Sequence, residues 1–305
     1  MKLKNVLLLL LLASLWGPSF LFIKIALTEL GPITLAALRI GLAAVVLYLF
    51  LWISGSKFKK SAAFWKHVAI TGFFAQSLPF ALISWGEIYI DSALASILNG
   101  LTPLFTVILA NFMIADERMN VQKITGTLLG FAGLLILLSP NFSGEMKAST
   151  MGILAVTLAA ASYGVGMVYT RIHLKGTPPM HAPASQLLIA SLYMIPFSLW
   201  IDGPLPLGEI SLSALGAVCV LAIFGTAIAY VVYFKIIENT SASFLSMVTY
   251  ILPVFGVVLG VVFLDETISI ETAIGAMCIL LGLLVANNVL KVNLFKTSKN
   301  SRQSA

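Results

Sequence analysis

Apolar stretches long enough to cross a bilayer recur along this chain, and they constrain its fold more than any other feature. A hydrocarbon core is about 30 Å thick, so a helix rising about 1.5 Å per residue needs about 20 residues to span it. Ten such spans can be placed, at residues 6–26, 32–53, 64–84, 92–114, 122–139, 150–170, 182–201, 211–236, 240–264 and 270–290. The apolar residues run continuously, as from Val6 to Leu15 or Ile279 to Val285. A transmembrane β-barrel would instead alternate apolar and polar positions. Composition agrees: 59% of residues are hydrophobic and 10% charged, against about 25% charged in soluble domains. The expected class is therefore an all-α polytopic membrane protein of ten transmembrane helices, with a polar tail after Lys291. Lys2, Lys4 and the leucine run resemble the start of a signal peptide. Ala13-Ser14-Leu15-Trp16 is a poor cleavage site, however, and apolar sequence continues to Ala26, so the segment reads as the first helix.

Charge sets the orientation. Lysine and arginine stay on the cytoplasmic side of a membrane protein. With the amino terminus inside, the inner segments hold 15 basic residues: Lys2, Lys4, Lys57, Lys59, Lys60, Lys66, Arg118, Lys123, Arg171, Lys175, Lys235, Lys291, Lys296, Lys299 and Arg302. The outer loops hold only Lys147, while Lys24 and Arg39 fall within spans. This predicts a multi-pass protein of the inner (cytoplasmic) membrane with both termini cytoplasmic. The net charge of +6 is accordingly topological, and nucleic acid is not an expected partner.

An internal repeat is visible. Ser96, Pro103, Phe105, Val107 and Leu109 recur 150 positions later as Ser246, Pro253, Phe255, Val257 and Leu259. After a one-residue slip, Glu117, Gly126, Gly133, Leu134 and Leu135 recur as Glu266, Gly275, Gly282, Leu283 and Leu284. Trp16-Gly17 has a weaker echo in Tyr163-Gly164. Residues 1–140 and 141–292 thus read as one five-helix unit used twice, with 293–305 a polar cytoplasmic tail. Five is odd, so the second copy enters from the opposite face, and the loops are recharged to match. Lys57, Lys59 and Lys60 follow the second span, whereas Asp202 and Glu209 follow its counterpart. Inverted repeats of this kind characterise many secondary transporters, with the solute site at the repeat interface.

Enzymatic chemistry finds little support. His67, His173 and His181 are isolated near span ends, and Cys219 and Cys278 each lie inside an apolar stretch. No Walker motif is present; Gly126, Gly130 and Gly133 sit within a span as packing glycines. No cofactor, metal or catalytic residue is expected. No acidic residue stands clearly at mid-membrane, so the coupling ion stays open.

Trp16-Gly17-Pro18-Ser19-Phe20, Lys24, Pro32 and Arg39 resemble the opening pattern of the EamA family, within the drug/metabolite transporter superfamily. Pro103, Ala115-Asp116-Glu117-Arg118-Met119, Gly126 and Gly133 resemble its repeat ending. Pro253, Leu264-Asp265-Glu266-Thr267-Ile268, Gly275 and Gly282 resemble it again. The second half departs from the opening pattern, with Gln186 where Arg39 would map and Arg171 where Lys24 would. The resemblance implies a ten-helix transporter of small metabolites, often an exporter of amino acids or related solutes. It also implies a central cavity lined by spans 1, 3, 4, 6, 8 and 9, with spans 5 and 10 peripheral.

The residues suggest what lines that cavity. Gln76, Phe80 and Ser84 share one face of the third span. Tyr230 and Tyr233 stand three apart in the eighth; Trp16, Ser19 and Phe20 come from the first, Tyr163 and Met167 from the sixth, Asn99 from the fourth and Thr249 from the ninth. An aromatic, mildly polar lining suits an amphipathic solute, though aromatic packing gives the same pattern. Lys24 and Arg39 are candidate charge contacts. Lys24 sits near a span end and could snorkel; Arg39 is deeper, suiting either an anion or a structural pairing. Pro103 and Pro253 interrupt helix hydrogen bonding at equivalent places, as hinges or as static kinks. The expected function is secondary export by alternating access; the alternative is a polytopic membrane enzyme or assembly factor without transport activity. Expected partners are a small-molecule solute and the lipid bilayer, with a possible homodimer.

Overall fold

The computed structural model describes residues 3–55, 61–114, 119–139, 148–174, 176–177, 180–205, 210–239, 248–286 and 289–290. All regular structure among them is helical. Eight segments are long and apolar enough to cross a bilayer: α1 (Leu3–Ala26), α2 (Pro32–Ile53), α3 (Ala62–Gly86), α4 (Ser92–Met113), α5 (Val121–Leu138), α6 (Ser149–His173), α7 (His181–Ile201) and α8 (Leu212–Tyr233). Two shorter apolar helices follow, α9 (Val248–Leu264) and α10 (Ile270–Ala286). Trp52, Phe112, Trp200 and Leu212 are each more than three-quarters exposed. A soluble surface would not carry so many large apolar side chains. This is a membrane protein, and lipid is the solvent that makes those faces favourable.

Interruptions in the helices carry the positional information. Gly17 and Pro18 break α1, and Gly100 and Leu101 break α4 just before Pro103. Proline has no N–H and clashes with the preceding turn, so a helix interior yields there. In α9, Pro253 is accommodated inside the helix instead. The two sites meet: a Cβ built on Gly100 would lie 3.8 Å from Pro253 Cγ. Two stretches are wound as π-helix, Phe73–Ser77 in α3 and Ile223–Ile228 in α8. They begin 150 positions apart. So do the serines that cap the same two helices: Ser61 accepts from the Phe64 amide and Ser211 from the Ala214 amide, each at 3.2 Å.

α5 and α10 pack along each other through glycine. A Cβ on Gly126 would come 2.4 Å from the Gly282 carbonyl oxygen, and one on Gly133 would come 2.6 Å from that of Gly275. Small residues allow such backbone approach between membrane helices. The repeat relation carries Gly126 onto Gly275 and Gly133 onto Gly282, so it exchanges these two contacts.

Side-chain to backbone bonds tie one end of the bundle together, where the described connections are rich in acidic residues. Glu29 accepts from the Ser211 amide at 2.6 Å and Asp202 from the Thr34 amide at 2.7 Å. Glu266 accepts from the Ser92 and Ala93 amides at 2.8 and 3.0 Å. Each supplies an acceptor to helix N–H groups that have no partner within their own helix. For Glu29 the Ser211 hydrogen bonds hold its carboxyl below the usual glutamate range. Lys24 completes the set from the opposite polarity, donating to the carbonyls of Glu87 at 2.5 Å and Ile90 at 2.8 Å where α3 ends.

Candidate functional site

The two π-helical stretches position the site. A π turn widens the helix and frees backbone groups, which is why such turns collect at functional places. In α8 the stretch presents the Gly225 carbonyl and the Thr226 hydroxyl to α2. Arg39 Nε donates to Thr226 Oγ1 at 3.0 Å, and Nη2 lies 3.4 Å from the Gly225 oxygen. The guanidinium carbon stands 4.1 Å from the centroid of the Phe80 ring, a cation–π contact from α3. Arg39 is buried, and these recorded partners are all neutral. Glycine at 225 also admits α1, since a Cβ there would sit 3.0 Å from Ser19 Oγ.

In α3 the corresponding stretch carries Gln76, which is fully buried. Its amide nitrogen donates to the Tyr230 hydroxyl of α8, while its Oε1 is buried without a hydrogen-bond partner among the described residues. The neighbouring Phe74 carbonyl accepts from Ser162 of α6 at 2.7 Å. Rings extend the cluster in two directions. Tyr163 of α6 meets Phe80 edge-on with centroids 6.4 Å apart. Tyr233 meets Tyr230 at 6.2 Å and Trp16 at 6.0 Å. Five helices, α1, α2, α3, α6 and α8, thus converge on a packed aromatic cluster with one buried guanidinium and one amide oxygen without a partner among the described residues.

Of the residues singled out in the sequence, Trp16, Arg39, Gln76, Phe80, Tyr163, Tyr230 and Tyr233 come together here. Asn99 of α4 is partly buried, and its Oδ1 has no hydrogen-bond partner among the described residues. Thr106 links α4 to α6 through Met167, its hydroxyl 3.9 Å from the sulfur. Others go elsewhere. Phe20 lies in the apolar core with Ile23, Ala26 and Leu98. Ser19 stays beside Gly225 at the cluster's edge, where it also lines an apolar groove of about 230 Å³ between α1 and α8. Ser84 is buried one turn beyond Phe80. Lys24 caps the end of α3 rather than reaching the aromatic cluster. The Thr249 side chain, Ser246 and Glu117 lie outside the described residues. Gln186, which stands where Arg39 would map, reaches Thr170 of α6 at 3.4 Å. Sequence reasoning passed over Gly225 and Thr226. The signal was available, because Thr226 follows Gln76 by the same 150 positions that relate the two repeats.

The EamA-like transporter family model matches residues 3–139 and again 150–288. The chain belongs to the EamA-like transporter family. Its relatives include the uncharacterized transporter YoaV of Bacillus subtilis, 26% identical over 88% of this chain and 91% of that protein. An uncharacterized transporter of Archaeoglobus fulgidus is 27% identical over 92% of this chain and 98% of its own length. The uncharacterized inner membrane transporter YedA of Escherichia coli K12 is 28% identical over 84% of this chain and 81% of its own. A solved crystal structure superposes with a TM-score of 0.67 at 21% identity, covering 95% of this EamA-like chain and 99% of the other, which shows a shared fold. Membership makes small-molecule transport across a membrane the general setting for this chain.

Proposed function

We propose that this protein is a secondary transporter that exports a small amphipathic metabolite, an amino acid or related solute, by alternating access. The observation that carries the reading is the contact between Gln76 and Tyr230, which joins the π-helical stretch of α3 to the helix bearing its counterpart. Solute sites combine a largely apolar lining with a few placed polar groups. Trp16, Phe80, Tyr163, Tyr230 and Tyr233 supply ring faces for an apolar body, while Gln76 Oε1 and the Arg39 guanidinium orient a polar or anionic end.

The architecture in this reading is ten transmembrane helices in two inverted five-helix repeats, 1–140 and 141–292. Three features support it: the 150-residue spacing of caps and π turns, the exchange of the glycine contacts between α5 and α10, and the double match of the family model. The antiparallel run of the glycine contacts suits a two-fold axis in the membrane plane. Pro103 and Pro253, meeting through Gly100, serve as hinges. The lysine and arginine distribution places both termini in the cytoplasm, and the inner-membrane description of YedA supports the compartment.

Purified protein in proteoliposomes tests the function. Counterflow of radiolabelled amino acids, nucleobases and amphipathic cations, offered separately, should reveal at least one class that moves. Absence of flux for every class would count against transport.

A further inference from the structure

Glu87 follows the last residue of α3, at the acidic end of the bundle, and is fully buried. Both carboxyl oxygens are shut from solvent, and neither has a hydrogen-bond partner among the described residues. An ionised carboxylate there would lose its hydration with nothing in exchange, whereas the neutral acid loses far less.

The surrounding groups do not supply a counter-ion bond. Lys24 of α1 directs its ammonium to the backbone carbonyls of Glu87 and Ile90. Arg39 of α2 is held by Thr226, Gly225 and Phe80. Glu266, from the connection between α9 and α10, brings a further negative charge to the turn while capping Ser92 and Ala93. Asp91, on Glu87's own connection, adds another carboxyl. α6 faces this turn with Gly152 and Val156 against Gly86; of its titratable groups, Tyr163 meets Phe80, Tyr169 and His173 stack with each other beside His67, and Arg171 is exposed in its last turn. Burial pushes the Glu87 carboxyl well above the usual glutamate range; Lys24 opposes this, Glu266 adds to it, and Arg39 opposes it. Asp91 is raised too, by burial and by Glu266, with Lys24 acting against them.

We infer that Glu87 is a proton-binding site, occupied while the acidic end is closed and vacated when that end opens. The inference rests on the transporter reading, because only a chain that alternates has an opening to link. Lys24 and Glu266, which help seal Glu87, also tie α1, α3, α4 and the α9–α10 connection together, so opening this end separates them and admits water to the carboxyl. A hydrated glutamic acid ionises near about pH 4.3. The closed state therefore binds the proton more tightly, and by linkage the proton favours closure. Rising pH shifts the population towards the open state. The proton passes from the Glu87 carboxyl to water on opening and returns from water on closing.

Two readouts on the full-length protein in phosphatidylethanolamine–phosphatidylglycerol vesicles test this without a known solute. Infrared spectroscopy should show a protonated carboxyl band at neutral pH that is lost in Glu87→Gln. In a Cys219→Ala, Cys278→Ala background, a cysteine at the buried Ala26 should react with a water-soluble maleimide several-fold faster as pH rises. The rate is taken relative to the same cysteine in Glu87→Gln, so the thiol's own titration cancels. A band that persists in Glu87→Gln, or a labelling ratio that stays flat, overturns the proposal. Should Glu87→Gln fail to fold, Glu87→Asp takes its place: band and labelling must titrate at a pH displaced from wild type, and an unchanged midpoint overturns the proposal. Neither readout uses solute flux. Flux without a titrating Glu87 removes the proton site alone; a titrating Glu87 in a chain that moves no solute removes the transporter reading.

Discussion

Gln76 and Tyr230 stand 154 positions apart in the chain, and the amide of one donates to the hydroxyl of the other. Each belongs to a helix that carries a π-helical stretch, and those stretches begin 150 positions apart. The pair therefore joins the two family-matched halves, from within the widened stretch of α3 to the turn that follows the one in α8.

Arg39 should resist conservative replacement. Its fork reaches Thr226 and Gly225 while its plane lies on Phe80. Lysine offers a point charge without the fork or the planar stack. We expect Arg39→Lys to reduce thermal stability in detergent and not to restore wild-type flux. Thr226→Val, which keeps the side chain's shape but leaves Nε without its acceptor, should cost about 1–3 kcal/mol. Thermal unfolding of purified variants checks both, and a Thr226→Val protein as stable as wild type would remove this bond from the account of the site.

The α5–α10 contact should tolerate no added bulk. At Gly126 a Cβ meets backbone at 2.4 Å, which no rotamer change relieves. Gly126→Leu should therefore destabilise by at least the ~1–3 kcal/mol typical of overpacking. Gly216 of α8 is the control, exposed and with nothing within 4 Å of a built Cβ. Gly216→Ala should be neutral or stabilise by about 0.5–1 kcal/mol, since alanine restricts the unfolded chain and favours helix. Melting temperatures of the two variants should move in opposite directions or differ clearly in size.

The cap between Glu29 and Ser211 should depend on acid. Hydrogen bonding lowers the carboxyl's pKa in the folded protein. The stabilisation is then fully present above the unfolded pKa of about 4.3 and is lost as pH falls through the lowered folded value. A melting-temperature gap between wild type and Glu29→Gln should hold at neutral pH and close at strongly acidic pH. A gap that widens on acidification would show the sign to be wrong.

Topology can be read chemically. With both termini cytoplasmic, cysteines at Lys4 and Lys299 in a background lacking Cys219 and Cys278 should resist a membrane-impermeant thiol reagent in intact cells. A cysteine at Thr28, in the connection between α1 and α2, should react. Labelling at either terminus would reverse the orientation.

Much of this was legible in the sequence, for physical reasons that also explain the rest. Helix positions follow from hydropathy, because lipid demands long apolar runs wherever the chain crosses. Gln76, Phe80, Tyr230 and Tyr233 were readable as shared helix faces, and the structure brings those faces together. Phe20 was not separable from them, since an aromatic at helical spacing looks the same whichever cluster it packs into. Lys24 read as a snorkelling residue or a charge contact; only the fold shows that the carbonyls ending α3 lie within its reach. Nothing in the sequence marks Glu87, because hydropathy cannot show that neighbouring helices cover a connection. Thr226 was within reach of the 150-residue offset that relates Ser96 to Ser246, but glutamine stands at 76 and threonine at 226, so identity between the two halves does not mark the pair.

The most direct test of solute binding at the α3–α8 contact is counterflow in proteoliposomes, normalised to folded protein, for Gln76→Leu and Tyr230→Ala beside wild type. Gln76→Leu keeps the size and removes the hydrogen bonding; Tyr230→Ala removes ring area and the hydroxyl. Both should lower flux per folded molecule at least tenfold while inserting normally, a factor that corresponds to about 1.4 kcal/mol in the rate-limiting step. Reduced protein in the membrane with unchanged normalised flux in both variants would contradict the assignment and leave these side chains as packing alone.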